Sequence, residues 1–129
     1  MPVNRAKLLS AAKNAAKNSY SPYSGIKVGA AVYAGGKIFS AANVENASYG
    51  LTACAERNAV ASAVSSGNRK IEAVALFISG KHEPVPCGAC LQVLQEFAKG
   101  DIPVISASGN GEIRISRLSS FLPKPFKIK

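Results

Sequence analysis

The sequence is poor in cysteine, histidine and acid: three cysteines, one histidine and 7 acidic residues among 129. A small, odd cysteine count argues against a disulfide framework. It leaves buried apolar thiols, a catalytic thiol or metal ligands. No apolar run approaches the ~20 residues of a membrane-spanning helix, so no membrane partner is expected. There is also no block of like charges, no internal repeat and no low-complexity linker. Met1-Pro2-Val3-Asn4-Arg5 leads into an Ala/Lys-rich stretch rather than the apolar core of a signal peptide. The expectation is therefore a cytoplasmic protein.

What is present is globular. Hydrophobic residues make up 47% and charged residues 18%, a composition that buries a core rather than staying disordered. The length suits one domain spanning residues 1–129. The net charge is +9, from 16 basic and 7 acidic residues. Such an excess is one mark of nucleic-acid binders, but here the charges are scattered. Lys13 and Lys17 share the outer face of a helix, and Lys124, Lys127 and Lys129 sit in a proline-containing tail. A solvated basic surface is the simpler reading.

Residues 4–18 read as an amphipathic helix. Leu8, Leu9, Ala12, Ala15 and Ala16 line one face, and Lys7, Ser10, Lys13, Asn14 and Lys17 lie opposite. The stretch from Ser19 to Gly25 is turn-rich. Strands follow at 27–34 and 37–44, around a Gly35-Gly36 hairpin signal. Thr52 is expected to cap a helix at 53–66. The mostly apolar run 71–79 suits a central strand. A third helix at 88–99, short strands at 103–107 and 112–116, and a brief helix at 117–121 complete the chain. This order predicts an α/β fold, a mixed sheet with helices packed on it.

Two groups of residues carry chemistry: Cys54-Ala55-Glu56-Arg57, and Pro86-Cys87-Gly88-Ala89-Cys90. Both stand at predicted helix starts. Two thiols three positions apart can point at one ion, and Cys54 supplies a third from the other helix. Helix N-termini stabilise thiolates, because unpaired N–H groups and the helix dipole favour negative charge. Zinc accepts this soft donor set. Three ligands leave one tetrahedral position for water, the mark of a catalytic rather than a structural site. Zinc brings the pKa of such a water to about 7. Glu56 need not bind metal, and from its position it can shuttle protons between water and substrate. A closed site completed by His82, or three buried apolar thiols, is the competing structural reading. His82 lies in the polar loop Lys81-His82-Glu83-Pro84, which suits a solvated side chain.

A zinc ligand, one residue, a glutamate and then Pro-Cys-x-x-Cys is the general pattern of zinc deaminases of nucleobases. Along nearly its whole length the sequence resembles the small homotetrameric cytidine deaminases. The segments that carry the resemblance are Tyr20-Ser21-Pro22-Tyr23-Ser24, Val28-Gly29-Ala30-Ala31, Asn43 to Tyr49, the two cysteine groups, and Leu122-Pro123 with Phe126. The resemblance implies a three-layer fold, a mixed five-stranded sheet with helices on both faces. It implies hydrolytic deamination of cytidine and 2′-deoxycytidine in pyrimidine salvage. Cys54, Cys87 and Cys90 would hold one Zn2+ per subunit, with Glu56 as proton shuttle. It further implies that Asn43 and Glu45 bind the ribose, chiefly its 3′-hydroxyl, and that Ala55 and Val85 hold the pyrimidine edge through their backbone. Arg57 would donate to the zinc thiolates and offset their charge. In a homotetramer with shared sites, Phe126 would cover the base in a neighbour's site.

Two positions depart from the family pattern. Ile26 stands where the family commonly has a phenylalanine against the base, so contact there is apolar without ring stacking. Leu91 stands where an arginine often follows the last cysteine, which leaves charge compensation to Arg57. The rival readings are a deaminase of another cytosine-like nucleoside, a nucleic-acid-editing deaminase and a zinc-stabilised binding protein. The chain has no obvious extension to form a strand channel, and a structural zinc site has no need of Glu56.

Overall fold

The structure is a computed structural model that describes residues 3–128. Met1 and Pro2 of the opening segment and Lys129 of the basic tail lie outside the described residues. The elements run α1 Arg5–Ala16, β1 Val28–Ala34, β2 Lys37–Ala42, a 3-10 turn Tyr49–Leu51, α2 Ala55–Ser65, β3 Ile71–Ile78, α3 Gly88–Phe97, β4 Pro103–Ser108, β5 Ile113–Arg117 and α4 Leu118–Phe121. The sheet order is β2-β1-β3-β4-β5. β3 and β4 pair in parallel, and the other neighbours are antiparallel. A parallel pair needs a crossover, and α3 provides it. The expected mixed five-stranded sheet is the one that forms.

Side-chain alternation along the strands divides the core in two. Ala30, Val32 and Ala34 of β1 face the layer of α2, α3 and α4, with Val74, Leu76 and Val104. Ala31, Ala73, Ala75 and Ile105 face Leu8 and Ala12 of α1. Helices therefore cover both faces. Asn4 caps α1 by accepting from the Lys7 N–H at 3.0 Å. Leu8, Ala12 and Ala16 form its buried stripe, as the periodicity predicts. Lys13 is not simply solvated: its Nζ lies 5.8 Å from the centroid of the Phe77 ring.

Several boundaries differ from expectation for local reasons. Thr52 does not cap α2. The Val44–Ala53 bridge holds this stretch extended, the Thr52 Oγ1 accepts from the Asn46 N–H at 3.2 Å, and Cys54 takes the capping position. β2 ends before 43–44, because Val44 bridges Tyr20 and Ala53 instead of continuing the hairpin. α3 stops at Phe97, two residues short of the expected end, because Ala98 bridges Ile71 and the Lys99 N–H donates to the Ile71 carbonyl at 2.8 Å. Gly35 and Gly36 both take positive φ (59° and 76°), as a tight primed hairpin turn requires.

Gly29 sets how closely α1 lies on the sheet. A Cβ there would stand 1.8 Å from the Ala12 carbonyl oxygen and 2.6 Å from the Ala16 nitrogen. Both are helix backbone, so no side-chain rotation relieves the clash. Gly29→Ala is expected to destabilise the fold by about 2–3 kcal/mol or more. A thermal melt should show the midpoint lowered by roughly 10 °C.

Candidate metal and substrate site

Cys54 and Cys87 are the N-cap residues of α2 and α3, both with extended backbone. Cys90 lies in the first turn of α3 and is fully buried. The three Sγ atoms lie within 4.8 Å of one another, and those of Cys87 and Cys90 are 3.4 Å apart. Zinc–thiolate bonds of ~2.3 Å at tetrahedral angles put sulfurs about 3.8 Å apart, so the trio fits one zinc ion. His82 is exposed in its loop and takes no part in this cluster, which removes the closed four-ligand alternative.

The electrostatics favour a thiolate here. Cys54 is held down to about 5. Its first cause is a hydrogen bond from the Cys90 thiol, opposed by burial and reinforced by the Arg57 guanidinium. Arg57 Nη2 donates to Cys54 Sγ at 3.4 Å and to the Thr52 carbonyl at 3.3 Å. Cys90 is pushed up, because it gives its proton to that hydrogen bond and is buried. Arg57 is held further into its charged form, first by the same bond to Cys54. Its Nε is buried without a hydrogen-bond partner, so its polar capacity is not exhausted by the protein.

Glu56 is only 5% exposed. Burial, first, and the charge of Cys54 raise its carboxyl above the usual range. It lines a cavity of about 200 Å³ together with Cys54, Cys87, Ala55, Val85 and Asn43. The apolar wall of this cavity is made by Val28, Leu76 and Ile78. Sequence reading named Val28 only within a family segment and assigned none of the three to the site. They stand where β1 begins and β3 ends, and only the antiparallel register pairing Val28 with Ile78 brings them together. Ile26 is not part of this wall. It is half-buried, and its backbone donates to Ser24 Oγ and accepts from Asn43 Nδ2, each at 3.0 Å. Leu91 is 6% exposed and packs in the larger core.

Asn43 is buried and fully engaged on its oxygen: Oδ1 accepts from the Val28 N–H at 3.0 Å and from Ser19 Oγ. Glu45 faces a neighbouring cavity of about 170 Å³ with Tyr23, Ser24, Asn46 and Tyr49. Thr52 lines both cavities. Glu45 accepts from the Tyr23 and Ser24 N–H groups at 2.9 and 3.1 Å and from Ser24 Oγ. The Ser24 hydroxyl, first, and these amides keep its carboxyl below the ordinary carboxylate range. Phe126 lies elsewhere on its own chain. It is 71% exposed, its carbonyl accepts from Gln92 Nε2 at 3.1 Å, and it borders a larger opening of about 530 Å³ on the outer side of α3. That opening holds none of the thiols, so chemistry selects the smaller cavity over the cysteines.

Residues 2–106 match the family described as the cytidine and deoxycytidylate deaminase zinc-binding region. A cytidine deaminase from Sporosarcina psychrophila is 40% identical over 121 residues, covering 93% of this chain and 89% of that protein. One from Halalkalibacterium halodurans is 41% identical over 125 residues, covering 96% and 95%. The crystal structure of cytidine deaminase from Burkholderia pseudomallei matches with a TM-score of 0.90 at 41% identity, covering 96% of this chain and 100% of that one. The matched region includes every cysteine and Glu56, and on these grounds the chain belongs to the cytidine and deoxycytidylate deaminase family.

Proposed function

We propose that residues 1–129 act as one zinc-dependent deaminase unit, hydrolysing cytidine and 2′-deoxycytidine to uridine and 2′-deoxyuridine with release of ammonia, in pyrimidine salvage. The observation that carries this reading is the convergence of three thiols at two helix starts beside a buried carboxyl in one small cavity. Cys54, Cys87 and Cys90 hold the metal. When bound, zinc supplies the Lewis acidity that makes a water nucleophilic at neutral pH.

The protein's own part is proton handling and placement. Water adds to C4 of the cytosine ring. Glu56 takes a proton from that water and delivers it to N3. It then takes the remaining proton of the new C4 hydroxyl and passes it to the exocyclic amine, so that the C4–N bond breaks, ammonia leaves and C4 becomes a carbonyl. A group that takes and returns protons works best with a pKa near the working pH, and burial moves Glu56 in that direction. The ring lies against Val28, Leu76 and Ile78, with Ala55 and Val85 at its polar edge. Asn43 and Glu45 hold the sugar. Ile26, set back from the cavity wall, contributes at most to the rim.

The active assembly is a homotetramer in which Phe126 of one subunit covers the base bound by another. Supporting this is a bulky ring left largely exposed on a tail that the Gln92 amide braces from α3. A cytoplasmic location accords with salvage of free nucleosides.

Direct measurements test these assignments. Metal analysis should find about one zinc per chain, and Ala at position 54, 87 or 90 should lose the metal or the activity. Glu56→Gln should keep fold and zinc but lower kcat by at least ~10²–10⁴-fold, and near-normal turnover would remove Glu56 from the mechanism.

Arg57→Ala tests the charge balance through pH. Arg57 lowers the pKa of Cys54, and thiols must lose their protons to bind metal. Without the guanidinium, the thiol competes for its proton at higher pH. Zinc release followed with a chromophoric chelator should therefore begin at higher pH in the variant as the solution is acidified. The acidic limb of the pH–rate profile should move the same way.

Sedimentation should give a tetramer, and ending the chain at Pro125 should raise KM or abolish activity with little change in thermal midpoint. A fully active monomer would overturn the shared-site reading.

A further inference from the structure

The segment Ser19–Ser24 precedes the sheet and carries neither metal ligand nor proton shuttle. Nevertheless it contacts both residues assigned to the sugar. Its backbone runs beside Val44: the Tyr20 N–H donates to the Asn43 carbonyl at 3.1 Å, and the Glu45 N–H donates to the Tyr20 carbonyl at 2.8 Å. Its two end serines then reach the two side chains. Ser19 Oγ meets Asn43 Oδ1, and Ser24 Oγ meets Glu45 Oε2.

These contacts settle which hydrogen bonds remain for a ligand. The Asn43 amide has one possible orientation, because the Val28 N–H requires an acceptor and the Ile26 carbonyl requires a donor. Its oxygen takes both the Val28 N–H and the Ser19 hydroxyl, so its accepting capacity is used. One N–H of Nδ2 remains. Glu45 has about four acceptor positions. Two on Oε1 are taken by the Tyr23 and Ser24 amides, and one on Oε2 by the Ser24 hydroxyl. What remains is an acceptor on Oε2.

We propose that Ser19 and Ser24 are positioning residues of the sugar site: Ser19 takes the last acceptor position of an Asn43 amide already oriented by Val28 and Ile26, and Ser24 holds the Glu45 carboxylate with one acceptor position free, so that Asn43 can only donate and Glu45, as a carboxylate, accepts. A single oxygen that both accepts and donates satisfies this pair. The group selected is therefore a free alcohol on the sugar. An ether or ester at that oxygen lacks the proton for Glu45, and a phosphate there brings a second negative charge against it. This rests on the assignment of Asn43 and Glu45 to the sugar.

The test compares cytidine with 2′,3′-dideoxycytidine, which lacks both ring hydroxyls, on the zinc-loaded full chain. Wild type should favour cytidine in kcat/KM, and Glu45→Gln should erase that preference. Ser24→Ala and Ser19→Ala should raise KM for cytidine on the order of tenfold, change kcat by less than about threefold, and leave kcat/KM for dideoxycytidine unchanged. Ser24→Thr, which keeps the hydroxyl, should restore KM. Ser24 is exposed, so its variants keep the fold, and zinc content and thermal midpoint verify this. If the serine variants lose equally on both substrates, or lose nothing while Glu45→Gln erases the preference, the positioning role is overturned and the sugar assignment stands. If wild type shows no preference for cytidine, or Glu45→Gln leaves it intact, the sugar assignment itself fails and the proposal falls with it.

Discussion

Ala55, Ala59 and Ala63 put almost no side chain between α2 and what it packs on, and all three are fully buried. That small interface lets α2 settle on the same face of the sheet as α3, where Leu91 and Leu94 complete the layer. The starts of two helices then lie close enough for their capping residues to share one ion. A bulkier residue at 55 or 59 would lift one helix start away from the other, and the thiol trio would no longer close. The electrostatic features follow from this packing. Two positive helix ends and the Arg57 guanidinium surround Cys54, and the same close layer leaves Glu56 only 5% exposed, at the wall of the small cavity.

On the opposite face α1 makes a different contribution. It covers β1 and β3 through Leu8 and Ala12, and Gly29 allows its backbone nearly to touch the sheet. The strand ends are thereby held in the register that gathers Val28 and Ile78 over the cavity. One layer thus carries the thiols and Glu56, and the other steadies the apolar wall against which we place the base.

The chemistry was legible in the sequence because it is compressed into short local groups. Cys54, Glu56, Cys87 and Cys90 sit at helix starts, where spacing and position agree on a purpose. The elements themselves were readable from periodicity, as in the Leu8-Ala12-Ala16 stripe and the apolar run of β3. What was not legible depends on pairing between distant segments. Thr52 has the chemistry of a cap, but the Val44–Ala53 bridge determined the outcome. The 3-10 turn at Tyr49–Leu51 has no periodic signal to announce it. Leu76 and Ile78 read as ordinary core residues of a central strand, and nothing local says that the sheet ends there in a cavity. Ile26 attracted attention as a departure from a family pattern, whereas in the fold its backbone is the part that is engaged.

The two cavities that share Thr52 are held by different kinds of structure. Around the cysteines the supports are α2, α3 and the central strands, tied into the larger of the two buried cores. Around Glu45 they are single bridges, a short turn and side-chain hydrogen bonds from an exposed segment. Substitutions of the second kind of support disturb few neighbours. Over evolutionary time the surroundings of Glu45, where we place the sugar, can therefore change with little consequence for the fold, while the cavity at the cysteines stays frozen by its own packing.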